Sequence, residues 1–216
     1  MTFRIPIKRI HTLLALLAAA SLLAGCAATS AERSPRELLR LAVSGLSVPE
    51  SYRFALIETD PSGAGAARQE EWKGEVRRHD GLRLLTSGAG AAVRIDGSDR
   101  YGEDSYNPSA LLEGLLDGAA SVRLDEARSD GGEAVLLIKP SASFASGLWS
   151  KRLRSQAEPS SAARPLQAAD MRCELVVDRH RLVPVELTER SRLVFADGGK
   201  RVEEERSLRF RFETEP

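Results

Sequence analysis

From Ser51 onward, apolar and polar residues alternate with a period of two. Tyr52, Phe54 and Leu56 fall on one face of a strand, Trp72 and Val76 on one face of another, and Leu82/Leu84 then Val93/Ile95 continue the series. Successive side chains of a strand point to opposite faces, so each segment buries one side and wets the other. Turn formers separate them at Asp60-Pro61-Ser62-Gly63, Asp80-Gly81, Ser87-Gly88 and Asp96-Gly97. Short strands in such a series predict an antiparallel meander. Strands resume with Val122/Leu124 and Val135/Leu137. Three longer ones close the chain: Met171/Cys173/Leu175/Val177, then Val183/Val185/Leu187 running on to Leu193/Phe195, then Leu208/Phe210/Phe212. Asp197-Gly198-Gly199 joins the last two as a hairpin, and residues 158–169 read as a loop.

Helical spacing interrupts this pattern. Ser34-Pro35-Arg36-Glu37 is a helix start, with a serine cap, proline at the first helical position and a glutamate able to complete a capping box. Leu38, Leu39, Ala42 and Leu46 form its stripe, with Gly45 near its end. Asn107-Pro108-Ser109 opens a second helix, whose Leu111, Leu112, Leu115 and Leu116 precede Gly118. Residues 141–156 read as a third, setting Phe144, Leu148, Trp149 and Leu153 against Lys151, Arg152 and Arg154, although Gly147 weakens it. The stripes of these helices need an apolar partner, and the buried face of a twisted sheet supplies one. The expected fold is therefore α+β: a large curved antiparallel sheet, an incomplete barrel, wrapped around two or three helices.

The first residues follow a different rule. Arg4, Lys8 and Arg9 lie in an acid-free stretch, residues 12–23 are an uncharged apolar run, and Leu23-Ala24-Gly25-Cys26 follows. A basic start, an apolar run too short to span a bilayer comfortably and a small-residue cleavage site mark a signal peptide. Leu-Ala-Gly-Cys resembles the bacterial lipobox, which implies diacylglycerol transfer to the Cys26 sulfur and cleavage before it. The organisation expected is a signal peptide over 1–25, a lipidated tether over 26–33 and one domain over 34–216. Two acyl chains suffice for stable anchoring, since each buried CH2 adds about 0.8 kcal/mol. The mature chain is expected on the exported side of a cell membrane or outer membrane, held through diacylglyceryl-Cys26.

Cleavage leaves 191 residues with 28 Lys+Arg against 31 Asp+Glu, a net charge of −3. A nucleic-acid partner would require a clear basic excess. With Cys26 acylated, Cys173 has no partner within the chain, so the fold must rest on its apolar core. His79 and His180 sit among charges at turns, and a solvated loop role fits both. There is no Gly-x-Ser-x-Gly elbow and no His-Glu-x-x-His helix. Cys173 alternates with apolar neighbours as a buried thiol would. The GAGAA stretches at Gly63–Ala67 and Gly88–Ala92 lack the third glycine of a dinucleotide loop, and Asp96-Gly97-Ser98-Asp99 lacks the terminal glutamate of a calcium loop. Neither an enzyme nor a cofactor is expected. The basic run Lys151-Arg152-Leu153-Arg154 reads as a solvated helix face, with anionic headgroups as the alternative.

A lipobox, a leading amphipathic helix, a meander and an inserted Asn-Pro helix together resemble the LolA/LolB-like superfamily of lipoprotein carriers, which includes mycobacterial lipid-binding lipoproteins and lipoproteins of spore-forming bacteria. Two stretches carry the likeness. One is Tyr106-Asn107-Pro108-Ser109-Ala110-Leu111-Leu112-Glu113-Gly114-Leu115, placed after Asp96–Tyr101. The other is Glu174-Leu175-Val176-Val177-Asp178 followed by Leu182-Val183-Pro184-Val185-Glu186-Leu187. The resemblance implies an apolar cavity for a lipid or acyl ligand, lined by Tyr52, Phe54, Trp72, Val76, Leu84, Leu112, Leu115, Phe144 and Leu148. The low aromatic content, 5%, departs from the family. The alternative is the same fold with a filled core, binding an envelope protein partner through its surface.

Overall fold

The computed structural model describes residues 33–60, 68–77, 81–86, 106–156 and 164–213. The chain divides between Ser34 and Pro35, and the architecture below belongs to the second unit. Three helices, α1 (Pro35–Ser47), α2 (Pro108–Gly118) and α3 (Ala142–Gln156), accompany eight strands: β1 (Ser51–Asp60), β2 (Arg68–Arg77), β3 (Gly81–Thr86), β4 (Ala119–Leu124), β5 (Glu133–Pro140), β6 (Leu166–Asp178), β7 (Val183–Asp197) and β8 (Lys200–Glu213). The strands form one open sheet in the order β3-β2-β1-β8-β7-β6-β5-β4. Every neighbouring pair is antiparallel. Two meanders thus meet where β1 pairs with β8, Phe54 opposite Phe212 and Leu56 opposite Phe210. This is the α+β sheet and helix arrangement that the alternating pattern implies. Val93, Ile95, His79 and the Asp96–Tyr101 stretch lie outside the described residues.

The helices form where their caps and stripes place them. α1 buries Leu38, Leu39, Ala42, Val43 and Leu46, and packs on β7 and α2. In α2 the Asn107 side chain accepts a hydrogen bond from the Ser109 N–H at 3.0 Å, Pro108 occupies the first turn, and Leu111, Leu112 and Leu115 are buried. α3 begins after Ser141, whose Oγ accepts from the Phe144 N–H at 3.3 Å, and lies on β6. Close approach is built into α2. A Cβ on Gly114 or Gly118 would meet the Phe144 ring at 2.7 Å or 2.6 Å, so α3 lays Phe144 where a larger residue would stand. The hairpin at Gly198 and Gly199 has φ of 55° and 81°, the left-handed pair that a two-residue turn between right-twisted strands requires.

Three strand assignments differ from the sequence pattern. In β5 the residues facing the helices are Ala134, Leu136 and Ile138, while Leu137 faces outward. The run Ala-Val-Leu-Leu-Ile is apolar at both parities, so period two cannot choose a face. In β7 the register shifts against β6 between Val176 and Val177, which pairs Val177 with Pro184 and Val176 with Glu186. Val185 is the extra residue of this bulge, and Pro184 is buried in place of its valine neighbours. β6 also starts earlier than expected, at Leu166, inside the segment read as a loop. Leu166 to Ala169 carry little strand propensity, but pairing with Phe195, Val194 and Leu193 of β7 overrides it.

Candidate functional site

The nine residues expected to line a cavity all fall within or against one apolar cluster. Phe54, Leu84, Leu112 and Leu115 are buried in it, at 1%, 3%, 0% and 0% exposure. Tyr52, Trp72, Val76, Phe144 and Leu148 are half-buried at its margin. An aromatic chain crosses the junction of the two meanders. Tyr52 stands 6.1 Å from Phe212 and 6.3 Å from Phe54, and Phe54 stands 5.8 Å from Phe210, ring centre to ring centre. The Phe54 ring occupies the space over Gly74, its cross-strand partner in β2, so a Cβ there would fall inside the ring. Between α2 and the sheet, then, side chains occupy the centre. Cys26 lies outside the described residues.

Tyr52 ties β1 to the start of α2. Its hydroxyl lies 2.6 Å from Ser109 Oγ and donates to Asn107 Oδ1 at 3.5 Å. Burial pushes its pKa up to about 12, and the bonds to Ser109 only partly oppose this. A phenol whose folded pKa exceeds the unfolded value of about 10 contributes stability in full below pH 10 and loses it as the pH rises towards 12. The melting temperature of the native chain is therefore expected to fall more steeply between pH 10 and 12 than that of Tyr52→Phe. Parallel curves would show that the phenol is solvated.

Among the described residues, a groove with an open mouth and a largely apolar floor lies at the end of α1. It has a volume of about 500 Å3 and is formed by Gly45 and Leu46 of α1, Val48 and Pro49 after it, the start of β1, Val183 and Pro184 of β7, and Phe212 of β8. Arg53, Arg181 and Glu213 stand at its rim. Tyr52 alone of the nine expected residues reaches it. Its walls are held together by the contact of α1 with the turn before β7. A Cβ on Gly45 would meet the Leu182 carbonyl oxygen at 2.5 Å. Leu182 itself has φ of 56°, and the Asp178 side chain fixes the turn by accepting from the His180 and Arg181 N–H groups at 2.8 Å and 2.9 Å.

The polar feature that the sequence reading missed lies between α3 and the sheet. Arg152 of α3 and Glu189 of β7 are both fully buried, and Arg152 Nη1 donates to both carboxylate oxygens at 2.7 Å and 2.8 Å. Ser191 Oγ donates to the same carboxylate at 2.9 Å. The guanidinium lies over the Trp149 ring at 4.9 Å and faces Tyr106 at 5.9 Å. This corrects the reading of the basic run 151–154 as a solvated helix face at one position: Lys151 and Arg154 are exposed, but Arg152 is buried. The signal was present in the spacing. Arg152 follows Ala145 and Trp149 at helical intervals of four and three, and Glu189 shares the parity of Leu187 and Leu193. On β8, the largely buried Glu204 pairs with Arg164 and with Arg206.

Cys173 is buried beside the pair, and burial first, then the Glu189 charge, pushes its thiol well above the ordinary range, so it stays protonated. His180 is exposed on its turn. Among the described residues, no three His, Cys, Asp or Glu side chains are grouped to hold a metal ion. No helix among them is long and apolar enough to cross a membrane.

No protein-family profile and no curated protein matches this sequence. Among solved structures, a LolA superfamily protein from Nitrosomonas europaea aligns over 85% of this chain and 96% of its own, with 10% identity and a TM-score of 0.27. A DUF1329 family protein from Desulfovibrio piger aligns over 84% of this chain and 92% of its own, with 10% identity and a TM-score of 0.29. The first of these carries the name of the superfamily that the sequence resembles. Overlap this loose has no bearing on ligand or activity.

Proposed function

We propose that this chain is a membrane-anchored, non-catalytic lipoprotein that takes an acyl chain into the groove at the end of α1. The observation that supports it is the lining. Leu46, Val48, Pro49, Val183, Pro184 and Phe212 turn apolar surface into a space of about 500 Å3, within the range of about 300–1,000 Å3 typical of small-molecule sites. Val48 is 76% exposed, the one large hydrophobic left so open among the described residues. Covering such surface gains about 25 cal/mol per Å2. With Arg53, Arg181 and Glu213 at the rim, an amphipathic ligand would rest its chain on the floor and keep its head in water. Diacylglyceryl-Cys26 would hold the domain at the exported face of a cell membrane or outer membrane.

The test is titration of a fluorescent fatty acid into unlipidated Cys26→Ser protein. Val48→Asp is expected to weaken binding about tenfold or more with no change in melting temperature, because a carboxylate would have to be desolvated against the chain. Unchanged affinity in that variant would remove the groove as the site. The packed centre favours a second reading, an envelope protein partner held by the surface, and failure of the native protein to bind any acyl probe would select it.

A further inference from the structure

The outer face of the sheet, turned away from the helices, carries a second and chemically different groove. It has a volume of about 970 Å3 and runs across β4 to β8. Six cations line it, Arg123, Lys139, Arg172, Arg190, Arg192 and Arg206, against three carboxylates, Asp170, Glu174 and Glu205, and Arg206 is held by Glu204. The carboxylates are largely committed. Asp170 is shared between Lys139 at 3.6 Å and Arg172 at 3.9 Å, and Glu174 is taken by Arg128 at 2.8 Å. Arg192 pairs with Glu203. Arg123 and Arg190 have no carboxylate partner among the described residues.

The register makes this arrangement costly. Arg172 of β6 lies directly opposite Arg190 of β7, and Lys139 of β5 occupies the same row one strand over, next along from the Ile138–Cys173 pair. Like charges directly opposite on a sheet destabilise it. The row one step along the sheet shows the ordinary solution, since Arg192 stands between Asp170 and Glu205 in alternating sign. In the neighbouring row Asp170 offsets Lys139 and Arg172 only in part, at 3.6 Å and 3.9 Å. A buried partner does not explain these cations, because Lys139 and Arg172 are 57% and 77% exposed.

We infer that this row is a docking surface for an extended acidic segment of a partner protein. Neighbouring strands lie about 4.8 Å apart, so Lys139, Arg172 and Arg190 span roughly 10 Å, a distance that two to four residues of an extended chain cover. Arginine forks grip carboxylates bidentately, which suits aspartate and glutamate side chains. The interleaved Asp170, Glu174 and Glu205 leave the cations spaced along the groove, which suits the separate carboxylates of an extended acidic peptide better than a dense polyphosphate. Ser121, Thr188 and Ser207 beside the cations supply the neutral hydrogen-bonding groups found at wet protein interfaces.

The experiment uses the full chain as the cell processes it, held in nanodiscs of zwitterionic lipid, and follows the fluorescence anisotropy of a labelled hexaglutamate peptide at low salt. Native protein is expected to bind. The Arg172→Glu/Arg190→Glu double variant is expected to lose at least tenfold in affinity, while Lys151→Glu/Arg154→Glu, the same charge change on exposed positions of α3, leaves binding unchanged. Arg190→Glu alone turns a repulsive pair into an attractive one and should raise the melting temperature by about 1–2 °C while weakening binding, which separates lost docking from lost fold. Equal loss in the α3 variant, undiminished binding in the double variant, or absence of hexaglutamate binding overturns the assignment. So does binding confined to polyphosphate or to anionic vesicles.

Discussion

Replacement of Glu189 by alanine is expected to destabilise the protein by about 3–5 kcal/mol, the cost of stranding a buried guanidinium. Arg152 and Glu189 are both fully removed from water, so neither charge can fall back on solvation when its partner goes. Ser191 Oγ and the Trp149 ring face the pair but cannot replace the missing charge. Arg152→Ala should cost a similar amount. The double replacement Arg152→Met/Glu189→Leu removes both charges and keeps the volume, and such exchanges are often neutral or stabilising. Urea unfolding of the two single variants and the double one decides the matter. Single variants within about 1 kcal/mol of the native chain would mean that water reaches the pair. Because α3 meets the sheet through this contact, its loss is also expected to loosen α3 before the rest of the fold.

Phe54→Ala is expected to cost about 3–5 kcal/mol, since it empties a site at the junction of β1, β2 and β8. The ring is only 1% exposed and rests on Gly74 and near Phe210. Gly74→Ala should be destabilising as well, by about 1–3 kcal/mol, because its Cβ would enter space the ring already fills. The two effects are not independent. With the ring removed, the added methyl on β2 has room and fills part of the cavity, so a double-mutant cycle should show a coupling of about 0.5–3 kcal/mol in the favourable direction. Additive effects would show that Phe54 does not rest on Gly74. The cycle also bears on ligand binding: a cost present without ligand identifies Phe54 as core, whatever it adds to a cavity.

The two grooves differ in the side chains they present. The one at the end of α1 is floored by Leu46, Val183 and Phe212, and the one on the outer face is walled by Arg123, Arg172 and Arg190. An acyl ligand and an acidic protein segment would therefore not compete, and the two proposals stand or fall separately.

The amino-acid sequence alone determined the local elements, because their causes are local. Pro35, the Asn107 cap with Pro108, and the Gly198-Gly199 turn act within a few residues of themselves, and helix and strand spacing repeat along β1, β2, β6 and β8. It also determined that the helices needed an apolar sheet face to cover. Only the tertiary structure decided the rest. Which face of β5 turned inward, where β7 bulged, and that Leu166–Ala169 joined a strand were settled by pairing with neighbours far away in the chain. The candidate site depended on the same long-range packing. Phe54, Leu112 and Leu115 look like any apolar lining in sequence, and their neighbours made them core. Arg152 and Glu189 stand 37 residues apart, and a charge reads as solvated until a partner of opposite sign is brought against it in the dry interior. The row of Lys139, Arg172 and Arg190 exists only once three strands are in register.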